Sequence, residues 1–332
     1  MGKNKDLIIP VFISHQGCPH QCVFCNQNRI TGTEAPPSPV EVKDYLGQHL
    51  GEDKAGAVVA FYGGSFTGLP KDLQTAYLEA VNPFIITGQV SGIRVSTRPD
   101  YIDDDALSLI KSLGVKTVEL GVQSLDADVL RLSGRGHTFE DSLRAAALVK
   151  ENGLELGIQL MAGLPGDNAD KFFATVTRVI EDAPAFVRIY PTLVVKGAPL
   201  EALWRRGGYE PLSLEDAVTQ CASAVKRFRV AGIKVIRLGL QPSRDLEDAV
   251  LAGPYHPSFG HLVESELAFE RMSEAMEGER SVKFEFLVNP RELSVYKGIK
   301  SYNIEKFRVL RKEITIRPAE GVQSGELVMV AA

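Results

Sequence analysis

Up to residue 240, short and nearly continuous apolar runs alternate with longer segments in which apolar residues recur every three or four positions. The short runs are typical of parallel strands buried on both faces, and the longer segments are typical of amphipathic helices. The predicted strands are residues 7–14, 57–62, 92–96, 117–122, 154–161, 186–193 and 234–240. The predicted helices are residues 39–50, 69–82, 103–113, 138–152, 169–182 and 213–231.

This alternation predicts an α/β fold, and about seven β–α repeats favour a partial or complete (β/α) barrel over an open sheet. The alternation stops after Pro242. We therefore predict a barrel over residues 1–243 and a small C-terminal α+β extension over residues 244–332. Within the extension, residues 258–279 predict a long acidic helix, and residues 282–288 and 307–317 predict strands.

The extension has an uneven distribution of charge. Residues 245–279 hold nine Asp or Glu and one Lys or Arg, whereas residues 280–317 hold ten Lys or Arg and four Asp or Glu. Two interpretations stay open: a solvated surface matched to the acidic helix, or a face that docks a polyanion such as a substrate RNA.

The bulk composition excludes several classes of protein. The chain has 332 residues, 44% of them hydrophobic, and a net charge of −5, so no global basic field indicates nucleic acid. No apolar run approaches the roughly 20 residues of a membrane span, and the first residues do not resemble a secretory signal. Four cysteines are too few for a disulfide scaffold. We therefore expect a cytoplasmic protein with no membrane association.

Cys18, Cys22 and Cys25 lie within eight residues, directly after the first predicted strand. Three thiolates at this spacing predict a metal site, whereas zinc or an ordinary ferredoxin cluster needs a fourth ligand. The only other cysteine, Cys221, lies in the interior of a predicted helix. The trio therefore predicts an iron–sulfur cluster with one open iron, and a zinc or structural site is the alternative.

Other polar motifs also follow the predicted strands, at the end where a barrel carries its active site. They are FYGGSFTG (61–68), STRPD (96–100), ELGVQS (119–124), RGHT (135–138), QLMAGLPG (159–166), and the residues Arg188, Tyr190 and Lys196. Because the carboxyl ends of parallel strands meet at one rim, we expect these side chains to converge. Buried polar pairing is the alternative role for Glu119 and Gln123, and packing is the alternative for Tyr190 and Lys196.

The spacing Cys-x3-Cys-x2-Cys, with Phe24 before the last cysteine, resembles the cluster loop of radical S-adenosylmethionine enzymes. FYGGSFTGLP (61–70), STRPD, ELGVQS, RGHT and IYPTL (189–193) resemble the branch that contains the catalytic subunit of Elongator and its short bacterial relatives. The resemblance covers residues 7–243 and implies the barrel of that superfamily. The first gap between cysteines is shorter than in the Elongator subunit, and residues 244–332 hold no acetyl-CoA loop, so intrinsic acetyl transfer is not expected.

The resemblance implies that Cys18, Cys22 and Cys25 bind a 4Fe-4S cluster, take part in catalysis, and leave one iron to chelate S-adenosylmethionine. The predicted cofactor-binding residues are Phe24, Gly63, Gly64, Ser65, Ser96, Glu119, Gln123, Arg135 and Gln159. The glycine pair would hold the methionyl amine, because only glycine lets the main chain approach a ligand so closely. Arg135 would pair with the methionyl carboxylate. Tyr190 and Lys196 are the predicted catalytic residues on the substrate side.

The implied reaction begins with one electron from a donor such as flavodoxin or ferredoxin. Reductive cleavage of S-adenosylmethionine then gives a 5′-deoxyadenosyl radical, which abstracts hydrogen from the substrate. For the substrate the resemblance implies tRNA, as a tRNA modification enzyme. One alternative is a small molecule such as a porphyrinogen, although Ser96 replaces the glutamate of coproporphyrinogen dehydrogenases. A non-catalytic iron–sulfur or zinc protein is the alternative of another class.

Overall fold

The computed structural model describes residues 7–32, 35–51 and 56–330. They form two compact units: unit 1 comprises the described residues up to Ser213 and Phe228–Tyr255, and unit 2 comprises Leu214–Arg227 and the described residues from His256 onward. The division predicted between residues 243 and 244 stays a prediction. Residues 1–6, on which the expectation about a secretory signal depended, lie outside the described residues. Within the described part of the chain, no helix is both long and apolar enough to cross a membrane.

Unit 1 is organised around a sheet of seven strands in which every neighbouring pair is parallel. In sheet order the strands are β1 (Ile8–Phe12), β2 (Ala57–Tyr62), β3 (Val90–Thr97), β4 (Val115–Gln123), β5 (Glu155–Ala162), β6 (Phe186–Pro191) and β8 (Lys234–Leu238). A separate antiparallel pair consists of β7 (Val194–Val195) and β9 (Val250–Ala252). All seven strands predicted from the apolar runs are present.

Helices lie between consecutive strands of the large sheet, as the alternation predicted, and one more helix follows its last strand. They are α1 (Gln27–Thr31), α2 (Pro39–His49), α3 (Lys71–Ile86), α4 (Asp104–Ser112), α5 (Ala127–Leu132), α6 (Phe139–Glu151), α7 (Ala169–Glu181), α8 (Pro199–Arg205), α9 (Leu214–Val230) and α10 (Arg244–Ala249). Short 3-10 turns lie at Phe66–Gly68 and Pro99–Tyr101. Thr138 begins α6 with a capping box: its hydroxyl accepts from the Asp141 amide, and the Asp141 carboxylate accepts from the Thr138 amide.

The large sheet is curled, because strands that are four positions apart in it are joined by side chains. In a flat sheet β2 and β6 would lie about 19 Å apart, yet Arg188 of β6 donates to the Tyr62 hydroxyl of β2 at 2.5 Å. These two side chains therefore face the inside of the curl. The partial (β/α) barrel predicted from the sequence is confirmed.

Burial alternates along the strands and distinguishes the inner face of the curl from the outer face. Outward positions such as Val118, Leu120 and Ile158 are almost completely buried. Most inward polar side chains on β2, β3, β5 and β6 keep partial exposure: Tyr62, Arg94, Ser96, Gln159, Arg188 and Tyr190. The interior of the curl is therefore polar and partly open to solvent, whereas the apolar core of unit 1 lies between sheet and helices.

Unit 2 has its own apolar core, which includes Met272, Phe286 and Phe307. Its remaining elements are α11 (Phe259–Ala275), β10 (Lys283–Val288), α12 (Leu293–Lys297), α13 (Tyr302–Val309), β11 (Glu313–Pro318) and β12 (Leu327–Val330), with short 3-10 turns at Pro290–Glu292 and Ile299–Ser301. The central strand β10 pairs in parallel with β11 and antiparallel with β12. The predicted α+β character and the long acidic helix are confirmed.

The strand predicted over residues 307–317 is wrong in its first part, because Phe307 to Val309 end helix α13. Asn303 and Phe307 lie four residues apart on one buried helical face, and Phe307 packs on the Phe269 ring at 4.4 Å between centroids. A short apolar run fits either period, so the pattern alone could not separate the two structures.

Part of the basic stretch is matched by acidic residues of unit 2. Lys306 pairs with Glu266 of α11 at 2.8 Å, and Arg317 pairs with Glu285 at 3.0 Å. Lys283 pairs with Glu313. For these three cations, the ion pairs support the interpretation of the basic stretch as a surface that is neutralised by acidic neighbours.

Candidate metal and cofactor site

The loop that carries the three cysteines is anchored by its backbone to three neighbouring segments. The His15 amide donates to the Gly63 carbonyl at 2.9 Å, so the loop begins beside the end of β2. The Val23 amide donates to the Ser133 carbonyl at 3.0 Å, and the Leu200 amide donates to the Val23 carbonyl at 2.7 Å. The loop is therefore positioned against the ends of α5 and the start of α8.

Two glycines allow this loop to approach the segment after β2. A Cβ atom on Gly64 would lie 2.5 Å from the Gln16 carbonyl oxygen and 2.6 Å from that of Ile13. A Cβ atom on Gly17, at φ +69°, would lie 2.1 Å from the Ser65 carbonyl oxygen. The sequence predicted that the glycine pair serves close approach to a ligand, and the structure adds that Gly64 serves close approach of two backbones. Gly63 has a φ of +87° and more space around it.

The three thiols differ in exposure but influence one another. Cys18 is exposed, Cys25 is partly buried and Cys22 is buried. Burial and the neighbouring Cys22 raise the pKa of the Cys25 thiol to about 12. The pKa of Cys18 is raised by the same two causes, while Arg98 and Arg135 oppose the rise. Among the described residues no three His, Cys, Asp or Glu side chains converge on a single-ion site.

Arg135 joins the cysteine loop to the end of β4. Its Nη1 donates to Cys22 Sγ at 3.1 Å, and its Nη2 donates to the Gly121 carbonyl. Arg98, held bidentately by Asp100, donates to the Arg135 carbonyl. Both guanidiniums are at least nine-tenths buried, and within the described residues Arg135 Nε and Arg98 Nη1 lack a hydrogen-bond partner.

These observations fit an anionic group at the site. The thiols of Cys18 and Cys25, whose pKa values are raised by burial and by the neighbouring Cys22, lose their protons more readily beside a metal centre, which supplies positive charge. Two buried guanidiniums with orphaned N–H groups match a carboxylate. The donor set is therefore suited to an iron–sulfur cluster held by Cys18, Cys22 and Cys25, with a carboxylate-bearing cofactor beside it.

Gln123 and Gln159 form a second predicted part of the site. Gln159 Nε2 donates to Gln123 Oε1 at 3.1 Å. Gln123 has a φ of 69°, and the pairing of β4 with β5 shifts register between Leu120 and Gln123. This irregularity interrupts the regular alternation of side chains along β4 between Glu119 and Gln123.

Glu119 lies deeper in the interior, 1% exposed, and pairs with Arg188 at 3.1 Å. Burial raises the pKa of Glu119, while the Arg188 and Arg94 guanidiniums oppose that rise. Burial alone would lower the pKa of Arg188, but Glu119, Tyr190 and Tyr62 outweigh it and raise the pKa above its ordinary value. We assign an ionised pair, since two guanidiniums face one carboxylate.

The two predicted serines occupy different environments. Ser65 is fully buried, and its hydroxyl is hydrogen-bonded to Thr97 at 3.0 Å and accepts from the Arg98 amide at 3.2 Å. This contact joins the segment after β2 to the end of β3. Ser96 lies opposite Glu119 in the pairing of β3 with β4, on the inner face.

Phe24, Tyr190 and Lys196 lie around the cysteine loop or the interior. Phe24 and Tyr190 pack on one apolar cluster with Met161. Lys196 is exposed, and its carbonyl accepts from the side-chain amide of Asn26 at 3.0 Å. The structure thus brings Lys196 to the cysteine loop and Tyr190 to the interior, whereas it assigns neither a chemical role.

The sequence did not assign Tyr62, Arg94 or Arg98 to the site. Tyr62 and Arg94 point inward with Arg188, and the Arg94 guanidinium lies 4.5 Å from the centroid of the Phe186 ring. The available signal was polarity at alternate positions of otherwise apolar strands, as in Ile93 to Thr97. Arg98 stood within the STRPD motif that the sequence analysis singled out.

Two family models match the chain. The model described as the radical SAM superfamily matches residues 12–179, and the model described as the radical SAM C-terminal domain matches residues 184–268. The chain therefore belongs to the radical SAM superfamily. The cofactors of that superfamily are a 4Fe-4S cluster and S-adenosylmethionine, and the cysteine loop with Arg135 fits both.

The curated relatives include tRNA uridine(34) acetyltransferases and Elongator complex protein 3. The tRNA uridine(34) acetyltransferase of Methanocaldococcus infernus is 34% identical over 173 residues, which cover 51% of this chain and 32% of the relative. Human Elongator complex protein 3 is 30% identical over 178 residues, which cover 47% of this chain and 32% of the relative. The chain thus spans about a third of the length of these relatives.

Solved structures support the fold. An archaeal Elp3 from Methanocaldococcus infernus, lacking its N-terminus, has a TM-score of 0.64 at 23% identity, covering 81% of this chain and 63% of the other. The coproporphyrinogen III oxidase of Escherichia coli has a TM-score of 0.50 at 20% identity, covering 69% and 53%. At these identities the likeness concerns the fold alone.

Proposed function

We propose that this protein cleaves S-adenosylmethionine reductively at a 4Fe-4S cluster and modifies a uridine in tRNA. The observation that carries the first part is the hydrogen bond from Arg135 to Cys22, which places a buried guanidinium beside the cluster ligands. The names of the relatives, tRNA uridine(34) acetyltransferases, support the second part. When bound, the cluster and S-adenosylmethionine supply one-electron cleavage of a carbon–sulfur bond and hydrogen abstraction.

The residues of this chain bind and orient the cluster and S-adenosylmethionine. In this proposal Cys18, Cys22 and Cys25 ligate the cluster, and Arg135 and Arg98 offer their unpaired N–H groups to the methionyl carboxylate. The backbone around Gly63 and Gly64 borders the methionyl amine. Gln123, Gln159, Glu119, Ser96 and Phe24 line the cofactor side, and Ser65 acts by fixing the segment after β2.

Substrate and partners belong to the same proposal. Tyr190 and Lys196 lie on the substrate side, a one-electron donor such as flavodoxin or ferredoxin reduces the cluster, and the reaction takes place in the cytoplasm. We assign the catalytic role to residues 1–243 and substrate docking to residues 244–332. Docking would use cations of the basic stretch that form no ion pair with any other described residue, such as Lys297, Lys300 and Arg311.

The first experiment uses anaerobically reconstituted protein. We expect about four irons per chain and reductant-dependent cleavage of S-adenosylmethionine, and we expect Cys22→Ala to lose both. Cys221→Ala is the matched control, because Cys221 is buried in α9. Equal iron and activity in the Cys22→Ala variant would reject the cluster assignment.

The second variant is Arg135→Met, which keeps the length of the side chain and removes its charge. Since a hydrogen bond to a charged group contributes about 1.5–3 kcal/mol, we expect S-adenosylmethionine to bind about 10- to 100-fold more weakly. Arg131→Met is the control, because Arg131 is exposed and pairs only with Asp128 three residues away. Calorimetric titration measures both affinities, and equal values for the two variants would contradict the role of Arg135.

The tRNA part is tested by binding across a salt series. Docking through Lys and Arg predicts that the logarithm of the affinity falls linearly with the logarithm of salt concentration. Substituting Lys297, Lys300 and Arg311 together by Gln should reduce that slope. Absence of salt-dependent binding by the parent protein would remove tRNA as the substrate and leave the cofactor assignment intact.

A further inference from the structure

Tyr62 and Tyr190 present two phenol groups to the interior of the curled sheet, and Arg188 joins them. Arg188 Nη2 donates to the Tyr62 hydroxyl at 2.5 Å, and Nη1 donates to the Tyr190 hydroxyl at 3.3 Å. The guanidinium also lies 4.7 Å from the centroid of the Tyr62 ring, and its Nε lies 3.1 Å from the Glu119 carboxylate. Arg188 is therefore held from three sides and fixes both hydroxyl groups.

Because Arg188 is the donor in both hydrogen bonds, each tyrosine hydroxyl can still donate its own proton to another group. A guanidinium has no acceptor, so each phenol oxygen accepts from Arg188 and keeps its own O–H free for a further contact. Within the described residues, neither Tyr62 nor Tyr190 has a second hydrogen-bond partner for its hydroxyl. Burial raises the pKa of Tyr190 although Arg188 opposes it, so that this phenol stays protonated at neutral pH.

The side chains of both tyrosines face the interior and keep part of their surface exposed. Tyr62, Arg188 and Tyr190 all keep partial exposure, in contrast to the outward residues Val187 and Ile189 of β6, which are completely buried. Tyr190 also packs in the apolar cluster that contains Phe24 of the cysteine loop. The phenol pair therefore lies on the side of the interior that approaches the cluster ligands.

We propose that Tyr62 and Tyr190 bind a carbonyl or carboxylate oxygen of the substrate, and that Arg188 positions them for it. This inference rests on the proposed function, within which such an oxygen has two sources. One is the uracil ring of the tRNA nucleotide, and the other is a separate small carboxylate. Paired O–H donors accept uracil and disfavour cytosine, because cytosine presents an amino donor where uracil presents a carbonyl acceptor.

The experiment measures binding of two fluorescent anticodon stem-loop RNAs, one with uridine and one with cytidine at the wobble position, to the reconstituted protein with S-adenosylmethionine. Tyr62→Phe and Tyr190→Phe each remove one O–H and keep the ring. We expect each variant to bind the uridine RNA about three- to tenfold more weakly and to lose part of the preference over cytidine. Tyr45→Phe is the control, since Tyr45 is exposed on α2 and stacks on His49.

A titration with acetate identifies the other source. Saturable acetate binding that weakens in both Phe variants, without a change in RNA affinity, supports the site and assigns the oxygen to a small carboxylate. The inference is overturned if both variants bind RNA and acetate as tightly as the parent. If no RNA binds while acetate binding depends on the two hydroxyls, the tRNA proposal fails and the oxygen site stands. Thermal unfolding of each variant verifies that the fold is retained.

Discussion

Several charged side chains at this site are buried and therefore have little contact with water. Arg98 and Arg135 are 4% and 5% exposed, and the charges of both act on the Cys18 thiol. His137, two residues after Arg135, is 5% exposed, and within the described residues neither ring nitrogen has a hydrogen-bond partner. A third positive charge beside these two guanidiniums would be costly, so the imidazole is expected to stay neutral.

This environment predicts a pH dependence of stability. Burial, followed by the positive charges of Arg135 and Arg98, lowers the pKa of His137 from 6.5 to about 3. Between these values the unfolded chain binds a proton that the folded chain does not bind. The contribution of the neutral His137 ring to the free energy of unfolding is therefore fully present above pH 6.5 and is lost as pH falls towards 3, by at most about 1.4 kcal/mol per pH unit.

We expect His137→Asn to lose less stability than the parent as the pH is lowered below 6.5. Urea unfolding of the cluster-free protein at several pH values measures the difference. His49→Asn, at an exposed position of α2, should follow the parent curve. Parallel curves for the parent and His137→Asn would show that His137 already accepts its proton in the folded chain.

The role of a residue could be predicted from the sequence only where one particular residue type is needed for that role, as cysteine is for binding an iron–sulfur cluster. Three cysteines indicate a cluster whatever surrounds them, whereas the hydroxyl of Ser65 could serve either a ligand or the protein. Its partners, Thr97 and the Arg98 amide, come from another strand, so the choice depends on the folded geometry. The role of Tyr62 could not be predicted for the same reason, because its partner Arg188 is 126 residues away in the sequence.

At the scale of elements, the contact between the cysteine loop and the segment after β2 depends on glycine. Gly64→Ala would place a Cβ atom within 2.6 Å of two carbonyl oxygens. Backbone atoms cannot move away as a flexible side chain can, so the two segments must separate. We expect a loss of about 1–3 kcal/mol of stability, together with poorer retention of iron after desalting.

Gly47→Ala is the matched control for that substitution. Gly47 lies within helix α2, and a Cβ atom there would contact nothing within 4 Å. Alanine in a helix interior should raise the free energy of unfolding by about 0.5–1 kcal/mol. Equal stability of the Gly64→Ala and Gly47→Ala variants would mean that the two segments are not held together as described.

Long elements were predictable and short ones were not. Helix α7 was predicted as residues 169–182 and observed as Ala169–Glu181, since thirteen residues carry a full amphipathic period. Helices α1, α5 and α8 were not predicted, because five to seven residues cannot hold a helix without tertiary contacts. The α1 segment depends on such contacts: the Gln27 amide donates to the His15 ring at 2.9 Å.

At the scale of the molecule, the sequence predicted that polar motifs meet at one rim, but it could not predict the contents of the interior. The rim follows from topology, because parallel strands end on one side of a sheet. The Glu119–Arg188–Tyr62 contacts depend on how far the sheet curls, which is decided by side chains from three different strands. In our proposal the substrate oxygen binds beside these contacts, at the hydroxyl groups that Arg188 positions.

The division into two units makes a prediction about Cys221. Leu214–Arg227 belongs to unit 2 although unit 1 resumes at Phe228, so helix α9 contributes to both units. Ala217, Cys221 and Val225 lie on one completely buried face of this helix, four residues apart. Burial raises the pKa of the Cys221 thiol to about 12, which leaves almost no reactive thiolate at neutral pH.

A chain that ends at Tyr255 lacks most of unit 2, including Glu270 and Glu274, the ion-pair partners of Lys226. Because Leu214–Arg227 groups with the residues from His256 onward, we expect the buried face of α9 to become more exposed and the pKa of Cys221 to return towards its ordinary value of 9.0. We expect Cys221 to react with iodoacetamide about tenfold faster or more than in the full chain, as measured by peptide mass spectrometry. Cys18, which is exposed in unit 1, should react at similar rates in both chains. It therefore serves as the control that both chains received the same amount of iodoacetamide. Protection of Cys221 in a folded truncated chain would mean that its cover comes from residues before 256.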